Sequence, residues 1–371
     1  MPPMDLADDK VLIVSGKDIS TLSLEIPLSS ILSNQADVFR MLSLPSAAIA
    51  PQDAAQCPPR IGINAPHHTV LFMPASSEGT TSVKCVSVPK PSEPLPAGVP
   101  GGIPGTTLLF HTKSSRVRAV VNAAELTAIR TAAGSVVANV LAIPPASERG
   151  RSVRNVVVFG GGMQAFYHAW LLCRVYDGIA KVTFALTRGK EPSASTRDSI
   201  RRLQSVLQGG QVAVEWSDQV EAKVREADIV CCCTPSDKPL LQTEWVKDGT
   251  HFNIVGAYKP HMVELPASLV QLATAGGSLV VDSAEACAKE AGDLIQADVA
   301  EEQLVELGTL VPDTVEDWKR VRSCPAWKRD ESARGISIFK SVGVGVQDVA
   351  VTAMFVDEAE RRGVGQRVDF F

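Results

Sequence analysis

The 371 residues are 45% hydrophobic and 21% charged, with a formal net charge of −5. That length suits about two domains with ample core, the acidic balance excludes bulk nucleic-acid binding, which needs a basic patch, and no stretch reaches the ~18 uncharged apolar residues of a membrane helix. Asp5, Asp8 and Asp9, with no basic run beside them, argue against a secretory signal, so a cytoplasmic location is expected.

In chain order, the pattern predicts strands over residues 10–14, 69–74, 82–88, 106–111 and 117–121, with the turn-rich stretch 90–105 between two of them. This reads as a mostly antiparallel first region. Residues 122–141, dominated by Ala and Leu, predict a helix ended by Pro144-Pro145. A polar connector follows over 147–154. From residue 153 the pattern alternates: strand 155–159, helix 164–175, strand 181–186, helix 196–207, strand 211–216, helix 219–226, then strands 228–233, 251–255 and 278–282. Strands separated by helices imply a parallel sheet with right-handed crossovers. Residues 284–307 read as helical, and the tail from Gly335 adds a short strand and a final helix over 347–362. The eight cysteines show no ligand spacing. Cys231, Cys232 and Cys233 read as small buried hydrophobes in an apolar strand, so neither a metal nor a disulfide is expected.

The first of the alternating strands breaks directly into Gly160-Gly161-Gly162-Met163-Gln164-Ala165. In a dinucleotide site Gly160 allows the tight turn, Gly162 lets the backbone approach the phosphates, and Ala165 permits close helix–strand packing. The helix N-terminus then offers N–H groups to the anion. After the second strand of such a unit, an acid accepts the ribose 2′-hydroxyl of NAD, whereas an Arg accommodates the 2′-phosphate of NADP. Here Arg188 and Lys190 come before the first carboxylate, Glu191, which favours NADPH over NADH. Solvated surface charge is the alternative. Upstream, Arg60, Lys84 and Arg130 need explaining. Arg130 lies among Ala128, Ile129, Ala132 and Ala133, and Lys84 between Val83 and Cys85. An unpaired buried charge is costly, so each needs an anion. Taken singly, each reads first as a structural ion pair.

Arg60, Phe72-Met73-Pro74-Ala75, Lys84, residues 126–133, 160–165, 227–230, 234–236, 255–260, Asp282-Ser283, 290–293 and 339–343 form an ordered set. In that order they resemble the ornithine cyclodeaminase/μ-crystallin family over nearly the whole chain. The resemblance implies an α/β fold with a Rossmann-type NAD(P)-binding domain over 129–334. It also implies a discontinuous α+β substrate and dimerisation domain from 1–128 and 335–371, and hence a homodimer. It puts the carboxylate of a small amino or imino acid on Arg60 and Arg130, with Lys84 beside the reacting carbon and Met73 and Gly343 near the substrate. Cofactor contacts fall to Thr131, Gly160, Gly161, Gly162, Met163, Gln164, Thr187, Arg188, Thr234, Pro235, Val255, Gly256 and Ser341. NADPH is the expected cofactor and NAD the alternative.

Two departures from the family bear on the reaction. Cyclodeaminases carry an aspartate where the motif here reads Val255-Gly256-Ala257-Tyr258. A phenol titrates near ~10 and donates at neutral pH, so Tyr258 does not act as a carboxylate base. The expected reaction is therefore NADPH-dependent reduction of the C=N bond of an α-imino (cyclic ketimine) carboxylate, or the reverse amino-acid dehydrogenation. Lys84 and Tyr258 are the catalytic candidates, with Tyr258 equally a wall of the pocket. The alternatives are NAD-dependent deaminating cyclisation and non-catalytic binding of NADPH and a small ligand. The second departure is the glycine-rich stretch 101–105, which would alter substrate choice. His261, close to Tyr258 in sequence, is a pocket candidate or a loop histidine.

Overall fold

A computed structural model describes residues 10–43, 55–90, 102–145, 153–187, 189–207, 210–321, 324, 327 and 334–370. They fall into two compact units, one within 1–130 and 344–371, the other within 131–343. Strand β1 (Lys10–Val14) leads into helices α1 (Gly16–Glu25) and α2 (Leu28–Ser43). Ser15 caps α1: its side chain accepts from the Asp18 amide while the Asp18 carboxylate accepts from the Ser15 amide. Neither helix was among the expected elements. Their apolar spacing is helical, with Ile19 and Leu22 buried on α1 and Ile31, Leu32, Ala36 and Phe39 on α2, but interspersed serines dilute it.

Strands β2 (Ile61–Asn64), β3 (His68–Ser77), β4 (Thr80–Pro89), β5 (Gly105–Phe110) and β6 (Val117–Asn122) follow, then helix α3 (Ala123–Ala142). Glu78 and Gly79, both at positive φ, make the tight β3–β4 turn. The Lys90–Gly105 stretch lies mostly outside the described residues.

In the second unit come β7 (Asn155–Phe159), α4 (Met163–Val175), β8 (Lys181–Ala185), α5 (Ala194–Val206), β9 (Ala213–Ser217), α6 (Val220–Glu226), β10 (Ile229–Cys232), β11 (His251–Ile254), α7 (Ala267–Ala275) and β12 (Leu279–Val281). Helices α8 (Ala284–Glu290) and α9 (Gly292–Ile295) and strands β13 (Val305–Glu306) and β14 (Ser337–Lys340) complete it. The single helix expected over 284–307 is thus two short ones and a strand. The break falls at Ala291, in extended conformation, and at Gly292 beside it a Cβ would lie 2.0 Å from the Met262 carbonyl, so the chain packs tightly against that loop.

All eight strands of this unit run parallel, in the order β13-β12-β14-β11-β10-β7-β8-β9. β10, β11 and β14 are buried at every position, as a sheet covered on both faces demands. The order reverses between β7 and β10, the switch point where open α/β sheets hold ligands. β14 inserts between β11 and β12, so residues 335–343 belong to this unit and the division falls after Gly343, not at the expected 334/335.

The chain then returns to the first unit as α10 (Gly345–Arg362), ended by Gly363 in the left-handed region, and β15 (Gln366–Asp369). The first sheet has the order β15-β1-β6-β5-β4-β3-β2, antiparallel throughout apart from the β1–β6 pair. Helix α10 packs on α2, β3 and β4.

Candidate functional site

In the second unit the glycine turn sits at the switch point. Gly160 has φ +110°, and a Cβ on it would lie 2.8 Å from the Cys233 carbonyl at the end of β10, so only glycine fits. Gly162 is the N-cap of α4 and adds no side-chain cap, and the space its Cβ would enter is open. Such an uncovered cradle at the start of a 13-residue helix fits a dinucleotide pyrophosphate. Met163 and Gln164 open α4, and Ala165 is fully buried under it. A cavity of about 350 Å³ adjoins the turn, lined by Gly160, Gly161, Thr187, Glu191, Thr234 and Pro235 among others. Arg188 lies outside the described residues. Glu191, on the cavity wall, is held by Arg197 at 2.9 Å.

Thr131 is buried on α3, and Gln164 belongs to a histidine strut. His168 is fully buried. Its Nδ1 lies 2.8 Å from the Gln164 carbonyl, which can only accept, so the proton sits on Nδ1 and Nε2 accepts from the Ser135 hydroxyl at 2.9 Å. Burial pulls its pKa down to about 4, against the pull of that carbonyl.

Ser341 and Gly343 follow β14 and are held by Asp282, at the end of β12. The Ser341 hydroxyl donates to Asp282 Oδ2 at 2.7 Å, and the Val342 and Gly343 amides donate to the same oxygen at 3.0 and 2.7 Å. Val255 donates to the Cys232 carbonyl. The Thr234, Gly256 and Ala257 amides all donate to the buried Glu264. Tyr258 is partly buried against the core of this unit, with the Lys259 ammonium 5.8 Å from its ring centre. His261 is exposed in the following turn. Among the described residues no group of three metal-binding side chains occurs and no helix is long and apolar enough to cross a membrane.

In the first unit the cations do come together. Lys84, on β4 opposite the buried Met73 of β3, lies 2.5 Å from Asp348 Oδ2, and Arg130 Nε lies 3.3 Å from Asp348 Oδ1. Arg130 also donates to the Gln347 side-chain carbonyl at 3.1 Å. All three charged groups are almost wholly buried. Burial lowers the Lys84 pKa to about 8: Asp348 raises it, while the Arg130 and Arg60 charges push it further down. Arg60, half-buried just before β2, therefore acts on the same ammonium. Two buried cations share one carboxylate, which leaves positive charge for an anionic ligand. Asp348, Gln347, Asp282 and Glu264 were absent from the expected site. Asp348 carried a signal: it is a lone charge in the apolar run 342–351, the feature that singled out Lys84 and Arg130.

Residues 47–363 match the sequence pattern of the ornithine cyclodeaminase/mu-crystallin family. The chain is 28% identical over 358 residues to an alanine dehydrogenase of Archaeoglobus fulgidus, covering 93% of this chain and 99% of that one. It is 31% identical over 252 residues to the ketimine reductase mu-crystallin of Macropus fuliginosus, covering 68% of each. Among solved structures it shares the fold of the Thermococcus litoralis Δ1-pyrroline-2-carboxylate reductase bound to NADH and L-proline, with TM-score 0.75, 23% identity, and 96% of this chain and 100% of that one covered. It also shares the fold of an archaeal alanine dehydrogenase dimer with bound NAD, with TM-score 0.74, 22% identity, and 98% and 100% covered.

Proposed function

Since this chain belongs to the ornithine cyclodeaminase/μ-crystallin family, we propose that it is an NADPH-dependent oxidoreductase that reduces the C=N bond of an α-imino (cyclic ketimine) carboxylate, and in reverse oxidises the amino acid. The observation that carries this reading is the buried Lys84–Asp348–Arg130 group, an acid-tuned ammonium beside a guanidinium with charge to spare. Arg130 and Arg60 hold the substrate carboxylate, and Met73 shapes the site beside Lys84. Asp348 fixes the Lys84 side chain. An ammonium titrating near 8 is protonated at neutral pH yet able to release its proton, so Lys84 protonates the imine nitrogen as the carbon is reduced. A bound nicotinamide supplies the hydride. Gly160, Gly161, Gly162, Met163 and Gln164 hold its pyrophosphate, with Thr131, Thr187, Arg188, Thr234, Pro235, Val255, Gly256 and Ser341 around the rest, and Gly343 on the substrate side.

The preference for NADPH rests on Arg188 and Lys190 after β8, which precede the nearest carboxylate, Glu191, itself turned toward Arg197 at 2.9 Å. Tyr258 in place of an aspartate supports reduction over cyclisation, as a neutral wall or second donor at the substrate nitrogen. The first unit is the proposed substrate and dimerisation domain, and a homodimer is the proposed assembly.

The test is NADPH consumption with Δ1-pyrroline-2-carboxylate and Δ1-piperideine-2-carboxylate. The expected result is turnover with at least one of them, slower with NADH. Tight NADPH binding with no consumption across both would favour the non-catalytic binder. Proline formed from ornithine without net change in nicotinamide absorbance would favour cyclisation.

A further inference from the structure

Glu264 is wholly buried and lies in no helix or strand, yet its carboxylate takes four donors. Oε1 accepts from the Thr234 amide at 2.7 Å and the Thr234 hydroxyl at 2.9 Å. Oε2 accepts from the Gly256 and Ala257 amides at 2.8 and 3.0 Å. One side chain thus ties the loop after β10 to the loop after β11. The approach is tight: a Cβ on Gly256 would lie 2.1 Å from the Thr234 carbonyl and 2.6 Å from Glu264 Oε1.

Glu264 is itself held from behind. Asp293 Oδ1 accepts from the Glu264 and Leu265 amides at 2.6 and 2.9 Å, and Asp293 Oδ2 lies 3.0 Å from the buried Lys340 ammonium. Lys340, at the end of β14, donates to the Ala257 carbonyl at 2.6 Å and so closes the circuit. Three strand ends are locked together on the edge where the sheet order reverses.

We propose that Glu264 is a positioning residue for dinucleotide binding: it sets the Thr234 and Gly256 loops, with Asp293 and Lys340 holding it in place. This rests on the reading of the second unit as a dinucleotide-binding domain. An ionised carboxylate satisfies all four donors, whereas a protonated one turns an O–H toward N–H groups and releases part of the clamp. The charged and titratable groups facing it are Lys340 on β14, Asp293 on α9, Cys232 at the end of β10 and Cys233 just after it. Burial pushes Glu264 up to about 7, with Lys340 opposing and Asp293 adding. Protonation therefore falls within the range where the protein is assayed, and dinucleotide affinity should rise with pH through neutrality.

The experiment compares the full chain with Glu264→Gln, which keeps one acceptor and turns the other into a donor. NADH and NADPH dissociation constants are read by fluorescence from pH 6 to 8.5, and amide hydrogen exchange at Thr234, Gly256 and Ala257 in the ligand-free protein. The expected result is at least tenfold weaker binding of both dinucleotides and at least tenfold faster exchange at one of the two loops, below the melting temperature. The pH dependence of binding seen in the wild type should flatten. Binding within twofold of wild type with its pH profile intact overturns the proposal. If the variant does not fold, the wild-type protection factors decide alone. They should fall below pH 7 at these three amides relative to those of β7, and uniform behaviour refutes the clamp. Wild-type protein that binds neither dinucleotide overturns the reading of the unit instead, while the protection factors still judge the clamp.

Discussion

Asp348 stands between two cations that reach it from different elements, Lys84 from β4 and Arg130 from α3. Removing one partner of such a buried group leaves an uncompensated charge, typically at a loss of about 3–5 kcal/mol. The pairing also sets the chemistry. Lys84 titrates near 8 because burial lowers it while Asp348 raises it. Imine reduction needs the protonated form, so its kcat/KM should fall about tenfold per pH unit above 8, and amino-acid oxidation should show the opposite limb. In Asp348→Asn the supporting charge is gone and the falling limb of reduction should move to lower pH. Steady-state pH profiles of the two proteins check this, and an unmoved limb would take Lys84 out of the proton transfer. The cations themselves were legible, since charged residues in apolar runs demand partners. Read singly, each cation was expected in an ion pair, as Lys84 and Arg130 are; that they share one carboxylate was not inferred, because Asp348 arrives from more than two hundred residues away.

Among the elements, helices α3 and α4 are joined by His168, held neutral between the Gln164 carbonyl and the Ser135 hydroxyl. Its folded pKa is depressed from 6.5 to about 4. The folded state resists binding a proton that the unfolded chain accepts, so this contribution is fully present above pH 6.5 and is lost as pH falls through 4. The full difference is about 3 kcal/mol. Denaturant unfolding between pH 7 and 4 should therefore show a loss of that order in the wild type that His168→Gln does not show, although the variant is less stable at pH 7. Equal acid sensitivity in both would contradict the neutral-strut assignment. Local signals were strong where glycine punctuates: the β7–Gly160–α4 unit appears where the motif put it, because a strand, a left-handed turn and a helix start all coincide there. They were weak over 284–307, where alanine-rich composition reads as continuous helix and the turn at Ala291, with Gly292 packed against the Met262 carbonyl, is a tertiary fact.

For the whole molecule, the antiparallel first region and the alternating α/β run were both visible as a change of period near residue 153. The order of strands was not. Nothing in Ser337-Ile338-Phe339-Lys340 says that this strand inserts between β11 and β12 rather than joining the first sheet. That insertion is what brings Lys340 to Asp293 and Ser341 to Asp282, so a buried network and the proposed binding loop both depend on a pairing that four residues cannot announce. The two units likewise carry different parts of the proposed site: one the glycine turn and cavity, the other the paired cations.

The most direct measurement is where the hydride goes. The protein would be incubated with NADPH deuterated at the transferring C4 position and a cyclic ketimine carboxylate, and the product analysed by mass spectrometry and NMR. The account predicts one deuterium at the α-carbon of the cyclic amino acid, lost together with turnover when Lys84 is replaced by Met. Product without deuterium at that carbon, or no product from any α-imino carboxylate while the dinucleotide binds, would contradict it.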